Sequence, residues 1–174
     1  MNLKYLIAFA FLIVASFGLP KNIQKKIDKE IKATYNIEDY KIIPITLNSS
    51  ITEVLPSKFN EYNFFKISSN DEVIGHAYVS KALSKTDEFD YLVLFDNDFI
   101  IVKSKVLIYR EDYGSEIGSK RWLKQLIGKT QNDKLIYGDN IAAISGATIS
   151  VKSMTNAINN LLKSIKTLHQ KDLL

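Results

Sequence analysis

A threonine hydroxyl set among very small residues is the part of this chain best suited to chemistry. Thr148 lies in Ser145-Gly146-Ala147-Thr148-Ile149-Ser150, after a short apolar run and at the start of an amphipathic stretch. A turn made of Ser145, Gly146 and Ala147 lets a bulky anion approach the backbone. The helix behind it contributes free N–H groups and the positive end of its dipole. Together these form a phosphate cradle in which Thr148 can hydrogen-bond a phosphate or be esterified to one. The plain alternative is a helix start whose hydroxyl satisfies backbone donors, with small residues that serve close packing.

Upstream lies Val106-Leu-Ile-Tyr-Arg-Glu-Asp-Tyr-Gly-Ser-Glu-Ile-Gly-Ser-Lys-Arg-Trp122. Gly114 and Gly118 bracket Glu116 and Ile117 and allow the chain to run close to a flat ring. Tyr113, among glycines and charges, is placed to stack on such a ring, whereas Trp122 reads as a core residue. Lys152 sits in the first turn of the last helix, where the dipole gives a cation no reason to be. Lys120 is the other candidate counter-charge. Arg110 and Glu111 read as a structural ion pair beside the loop.

Ser-Gly-Ala-Thr, taken with this upstream segment, resembles the attachment motif of the FMN-binding domain family. That family includes the C subunit of the sodium-pumping quinone reductase and the G subunit of the related Rnf electron-transport complex. The resemblance covers about Val73 to Leu168, the scale of one domain. It implies FMN as cofactor, joined to Thr148 through a phosphoester. It also implies that Ser145, Gly146 and Ala147 surround the phosphate. Tyr113, Glu116, Ile117, Gly118 and Lys152 would then contact or neutralise the flavin. A flavin transferase that uses FAD and membrane redox proteins are the partners it implies. The family motif begins with Asp six residues before the threonine; here that position is Ala142, and the nearest upstream acid is Asp139.

The elements that must hold these residues follow from periodicity. Ile23, Ile27 and Ile31 lie on one narrow stripe, which predicts a helix over Lys21 to Tyr35 packed at the domain edge. Tyr40 to Leu47, interrupted by Pro44, reads as an edge strand. Ser49 to Pro56 reads as a loop. Strands are expected at Tyr62 to Ser68, Val73 to Lys81 and Tyr91 to Tyr109, the last broken by a turn at Asp96-Asn97-Asp98. Short consecutive strands of this kind form an antiparallel meander. A helix from Ile117 to Ile127 ends at Gly128, and Ile141 to Ile144 forms a short strand. Met154, Ile158, Leu161, Leu162, Ile165 and Leu168 mark a helix over Ser150 to Leu168 with Ser150 as its cap. The fold class is α+β: an antiparallel sheet with helices packed on it. Residues 1–20 precede an N-terminal helix and edge segment at 21–61, and the cofactor-binding domain spans 62–170.

Composition removes several chemistries. The chain has no cysteine, so disulfides, thiolate nucleophiles, Cys-ligated metals and lipidated cysteines are out. His76 and His169 are its two histidines, too few for a metal cluster, and no metal is expected. No Ser-His-Asp order, phosphate loop or paired-carboxylate site can be read, so catalytic residues are none. The formal charge of +4 comes with lysines spread along the chain, which does not point to nucleic acid. Lys4 followed by Tyr5 to Ala15, then Ser16, Gly18 and Pro20, reads as a secretory signal peptide or an uncleaved membrane anchor. Either places the protein outside the cytoplasm, periplasmic or secreted. The resulting expectation is an electron carrier; a flavin reductase and a scaffold that has lost its flavin are the alternatives.

Overall fold

The computed structural model describes residues 19–174; the leader reading, over residues 1–20, lies outside that range in all but its last two residues. Five strands form one antiparallel sheet in sequence order: β1 (Lys41–Pro44), β2 (Phe64–Ser69), β3 (Glu72–Leu83), β4 (Glu88–Phe95) and β5 (Ile101–Ile108). The expected meander and α+β class are what the chain adopts. β1 is an edge strand, as Pro44 requires. The turn at 96–99 closes β4 onto β5: Asp96 Oδ1 accepts from the N–H groups of Asp98 and Ile100, and Phe99 takes φ +58°.

Both faces of the sheet are covered. Helix α1 (Lys21–Tyr35) lays Ile23, Ile27 and Ile31 on Phe65, Ile67, Ala77, Val79, Leu92 and Leu94. Helix α4 (Thr148–His169) covers the opposite face, on Phe64, Tyr78, Tyr91, Val93 and Phe95. A strand buried on both faces must be apolar throughout, which is why β4 carries the unbroken run Tyr91-Leu-Val-Leu-Phe95. The α1 stripe is narrow yet does not sit at an edge, contrary to expectation. Three isoleucines suffice because charged residues flank them: Glu30 bridges Lys103 and Lys105 on β5, and Lys26 Nζ donates to the Leu107 carbonyl at 2.6 Å.

Register irregularities decide where the site residues go. Asp90 faces Ile108 while Tyr91 faces Val106, so Leu107 is an extra residue in β5. The bulge turns Leu107 and Ile108 together toward α1, and the next residue, Tyr109, turns to the α4 side. Four local expectations need correction. Ser49–Thr52 is a short helix, α2, capped by Asn48. Residues 115–127 are not one helix but a 3₁₀ turn (Ser115–Gly118), a short helix α3 (Lys120–Leu123) and a second 3₁₀ turn (Lys124–Leu126). The chain is pulled inward at Ile117, Trp122, Leu123 and Leu126, and Ile127 ends up exposed. Ile141–Ile144 forms no strand beyond a bridge between Tyr137 and Ile141. Helix α4 starts two residues earlier than expected, at Thr148.

Candidate functional site

Helix α4 begins without a side-chain cap. Its N-cap residue is Ala147, which has no hydroxyl to offer, and the first helical bond of this turn runs from Val151 N–H to the Ala147 carbonyl. The N–H groups of the first turn therefore point out of a 22-residue helix with no internal partner. The turn before it is closed by Ala147 N–H donating to Ile144 at 3.1 Å, with Gly146 at φ +79°. Glycine is needed there because a β-turn of this kind demands positive φ at its third residue. Ser145, Gly146 and Thr148 are exposed, whereas Ala147 is buried.

Ser150 was expected to cap this helix and does not. Its hydroxyl sits 2.9 Å from the Tyr109 hydroxyl, which also donates to the Tyr113 carbonyl at 3.1 Å. Tyr109 thereby ties the 110–118 loop to the first turn of α4. Gly114 completes the junction at φ +84°: a Cβ there would lie 2.8 Å from the Tyr109 hydroxyl and 3.1 Å from the Ala147 Cβ. The two glycine-containing segments singled out from the sequence are therefore in contact. Sequence reading gave Tyr109 no role and gave Ser150 only that of a helix cap. The usable signal was an aromatic hydroxyl at the strand end feeding the loop.

The remaining candidates separate by burial. Tyr113 is 82% exposed. Ile149, next to Thr148, is an exposed apolar residue off the core stripe that the sequence reading passed over. Glu116 is exposed, but the Ile117 side chain is fully buried in the core beside Ala147, so only its backbone is available to a ligand. At Gly118 an added Cβ would meet Val106 at an ordinary 3.5 Å, so space does not demand glycine. Lys152 lies over the Tyr137 ring, 5.1 Å from its centre, and Lys120 is exposed. Arg110 does not pair with Glu111. It reaches the buried Asp90 carboxylate and the Glu88 carbonyl, while Glu111 accepts from the Thr86 and Asp87 N–H groups and titrates below the usual carboxylate range.

Trp122 is a core residue with a second task. Its Nε1 donates to the Ala142 carbonyl at 2.8 Å, and Gln125 Oε1 accepts from the Ala142 N–H at 2.7 Å. The Ala142 backbone is fixed and its side chain exposed. Any residue at 142 would present its side chain to an approaching protein without disturbing the core.

A groove runs from this site along α4. Its near part, about 440 Å³, is lined by Tyr137, Leu135, Ile136, Lys152 and Asn156. Its far part, about 350 Å³, is lined by Asn132, Asp133, Lys134, Lys163 and Lys166, and the two parts share Lys134 and Asn159. Asn159 fixes the outer wall by bonding both the N–H and the carbonyl of Leu135, at 2.9 and 2.8 Å.

These features define an α+β domain whose last helix starts uncapped on an exposed glycine turn next to a glycine loop. Residues 85–163 match the FMN-binding domain family, and this stretch is an FMN-binding domain of that family. Its cofactor is FMN. The match begins just before β4 and ends within α4, so it contains the glycine loop, the turn at 144–147 and Thr148. No curated protein matches the chain. The residues fit the phosphate end of FMN: an uncapped helix start, an open glycine turn with nothing within 4 Å of the Gly146 Cβ position, and an exposed hydroxyl. Among the described residues no helix is long and apolar enough to cross a membrane.

Proposed function

We propose that this protein is an FMN-carrying electron-transfer protein that works outside the cytoplasm, with the flavin joined to Thr148 by a phosphoester. The observation that carries the reading is the exposed Thr148 hydroxyl at the uncapped start of α4, beside the Gly114–Ala147 contact. Attachment from FAD would bond Thr148 Oγ1 to the FMN phosphorus, break the pyrophosphate bond and release AMP. The hydroxyl proton passes to a base on the transferase, since among the described residues no carboxylate or imidazole is bonded to Thr148. A covalent bond suits a protein exported by a leader at residues 1–20, because a dissociable cofactor would be lost by dilution.

When bound, the flavin supplies one- and two-electron redox chemistry. The chain holds the phosphate with the first-turn N–H groups and the small turn Ser145-Gly146-Ala147. Lys152 adds positive charge one turn further on. Tyr113, with Ile149, offers exposed apolar surface to the ring, and the loop at Glu116 and Gly118 provides backbone contacts. Tyr109 fixes the distance between loop and helix. No side chain here is arranged as an acid or base for a second substrate, which favours a carrier that exchanges electrons with membrane redox proteins.

The test is stoichiometry. Reduced protein should pass its electrons once to an added one-electron acceptor and show no sustained oxidation of NADH or other diffusible donors. Sustained turnover would make it a reductase instead.

A further inference from the structure

The lysines are spread along the chain, but the acids are not. Residues 19–118 hold thirteen Lys and Arg against sixteen Asp and Glu; residues 119–174 hold nine against three. In the first region Asp28, Glu30, Asp71, Glu88 and Asp90 engage its cations. In the second, the one ion pair among the described residues is Lys129 with Asp133. Four of the nine cations, Lys134, Lys152, Lys163 and Lys166, line the α4 groove. Lys152, Asn156, Asn159, Lys163 and Lys166 recur at helical spacing on a single stripe of α4, with Lys134 on the opposite wall. Among the described residues Lys134 and Lys163 make no ion pair, and Lys166 reaches the neutral Asn132 amide, at 3.3 Å.

Resting on the electron-carrier reading, we propose that this groove docks an acidic segment of the protein that exchanges electrons with the flavin. The groove is concave and lined mainly with amides and lysines, and its carboxylate, Asp133, is already held by Lys129 and by the Thr130 N–H and hydroxyl. Such a lining suits carboxylates projecting from another protein. A lipid surface is better met by a convex basic patch with apolar side chains to insert. Lys163 and Lys166 stand about 22 and 27 Å along the helix from Thr148, a span of about one small domain, so a partner of that size seated over the groove reaches the end of α4 that carries Thr148. Unpaired cations around a redox site speed encounter with an anionic partner and make the encounter salt-dependent.

The experiment uses the full, flavin-loaded chain with oxidised plant-type ferredoxin, a small acidic redox protein, as probe and basic mitochondrial cytochrome c as control. Amide shifts on adding ferredoxin should cluster at Asn132, Lys134, Asn156, Asn159 and Lys163. The K163E/K166E double variant should bind about tenfold more weakly at low salt, with unchanged circular dichroism and unchanged flavin absorbance. The milder K163Q/K166Q pair should fall between the two. Cytochrome c should not perturb the groove. Shifts elsewhere, or equal affinity in the charge-reversed protein, would overturn the proposal. So would loss of sedimentation with phosphatidylglycerol vesicles in K163E/K166E while ferredoxin binding stays intact, which would assign the lysines to lipid. Absorbance separates the two readings: a colourless protein that still docks ferredoxin refutes the carrier reading alone, and a yellow one that does not dock refutes the docking surface alone.

Discussion

The two faces of the sheet are built to different rules. On the α1 face, three isoleucines meet an apolar sheet surface, and the surrounding charges are taken: Glu30 holds Lys103 and Lys105, and Lys26 is bonded to a backbone carbonyl. On the α4 face the core is just as dry, but the helix starts uncapped, a polar groove follows its outer stripe and, among the described residues, the lysines of that stripe have no carboxylate partner. A face made for stability neutralises its own charges and ends; a face made for binding leaves them for another molecule. The buried titratable ring belongs to the second face too. His76 stacks on Phe99 at 4.0 Å, and the edge of His169 closes the other side at 5.1 Å.

Ile27→Ala is the strongest way to probe that division. It should cost about 2–5 kcal/mol, because Ile27 is fully buried and its loss leaves a cavity under α1. Denaturant unfolding reads the loss, and the folded fraction should still hold FMN. Loss of flavin from folded protein would show that the faces are not separable.

Acid comes next. Burial pulls the His76 imidazole down from 6.5 to about 4, opposed by the Asp96 carbonyl and carboxylate and aided by Lys66 and His169. The unfolded chain therefore takes up a proton that the folded chain refuses. Stability should be constant above pH 6.5 and fall as pH drops toward 4, by on the order of 2 kcal/mol. His76→Phe should flatten that part of the pH–stability curve; an unchanged slope would place the acid sensitivity elsewhere.

Gly114→Ala strikes the loop–helix junction. With φ at +84° and the Tyr109 hydroxyl in the way, it should cost about 1–2 kcal/mol and weaken flavin retention as Tyr109 leaves Ser150. Retention equal to wild type would mean the junction does not set the site. The smallest effect belongs to Ala142→Asp, whose side chain is exposed: stability should stay within about 0.5 kcal/mol. The yield of loaded protein made with a flavin transferase should rise. Equal yield would show that the departure at 142 is harmless.

The sequence carried more of the fold than of the site's surroundings. The sheet, α1 and α4 were legible because β4 is apolar throughout and both long helices repeat isoleucine or leucine at helical spacing. The Ile117 to Ile127 stretch misled, since an apolar helical pattern also fits a chain folded into 3₁₀ turns around one buried tryptophan. In the turn and the loop, Gly146 and Gly114 were readable from residue type alone, as each holds a positive φ. The Tyr109–Ser150 link, the amide clamps at Gln125 and Asn159 and the pooled cations of the groove were not. They join residues 17 to 41 positions apart that only the packed sheet brings together.

The central claim is that the phosphate of FMN is fixed at the start of α4 through Thr148. Peptide mass mapping of protein produced with a flavin transferase, after full denaturation, tests it most directly. One FMN should be added to the peptide that contains Thr148, and none in Thr148→Ala. An unmodified peptide, or flavin carried on any other residue, would contradict it.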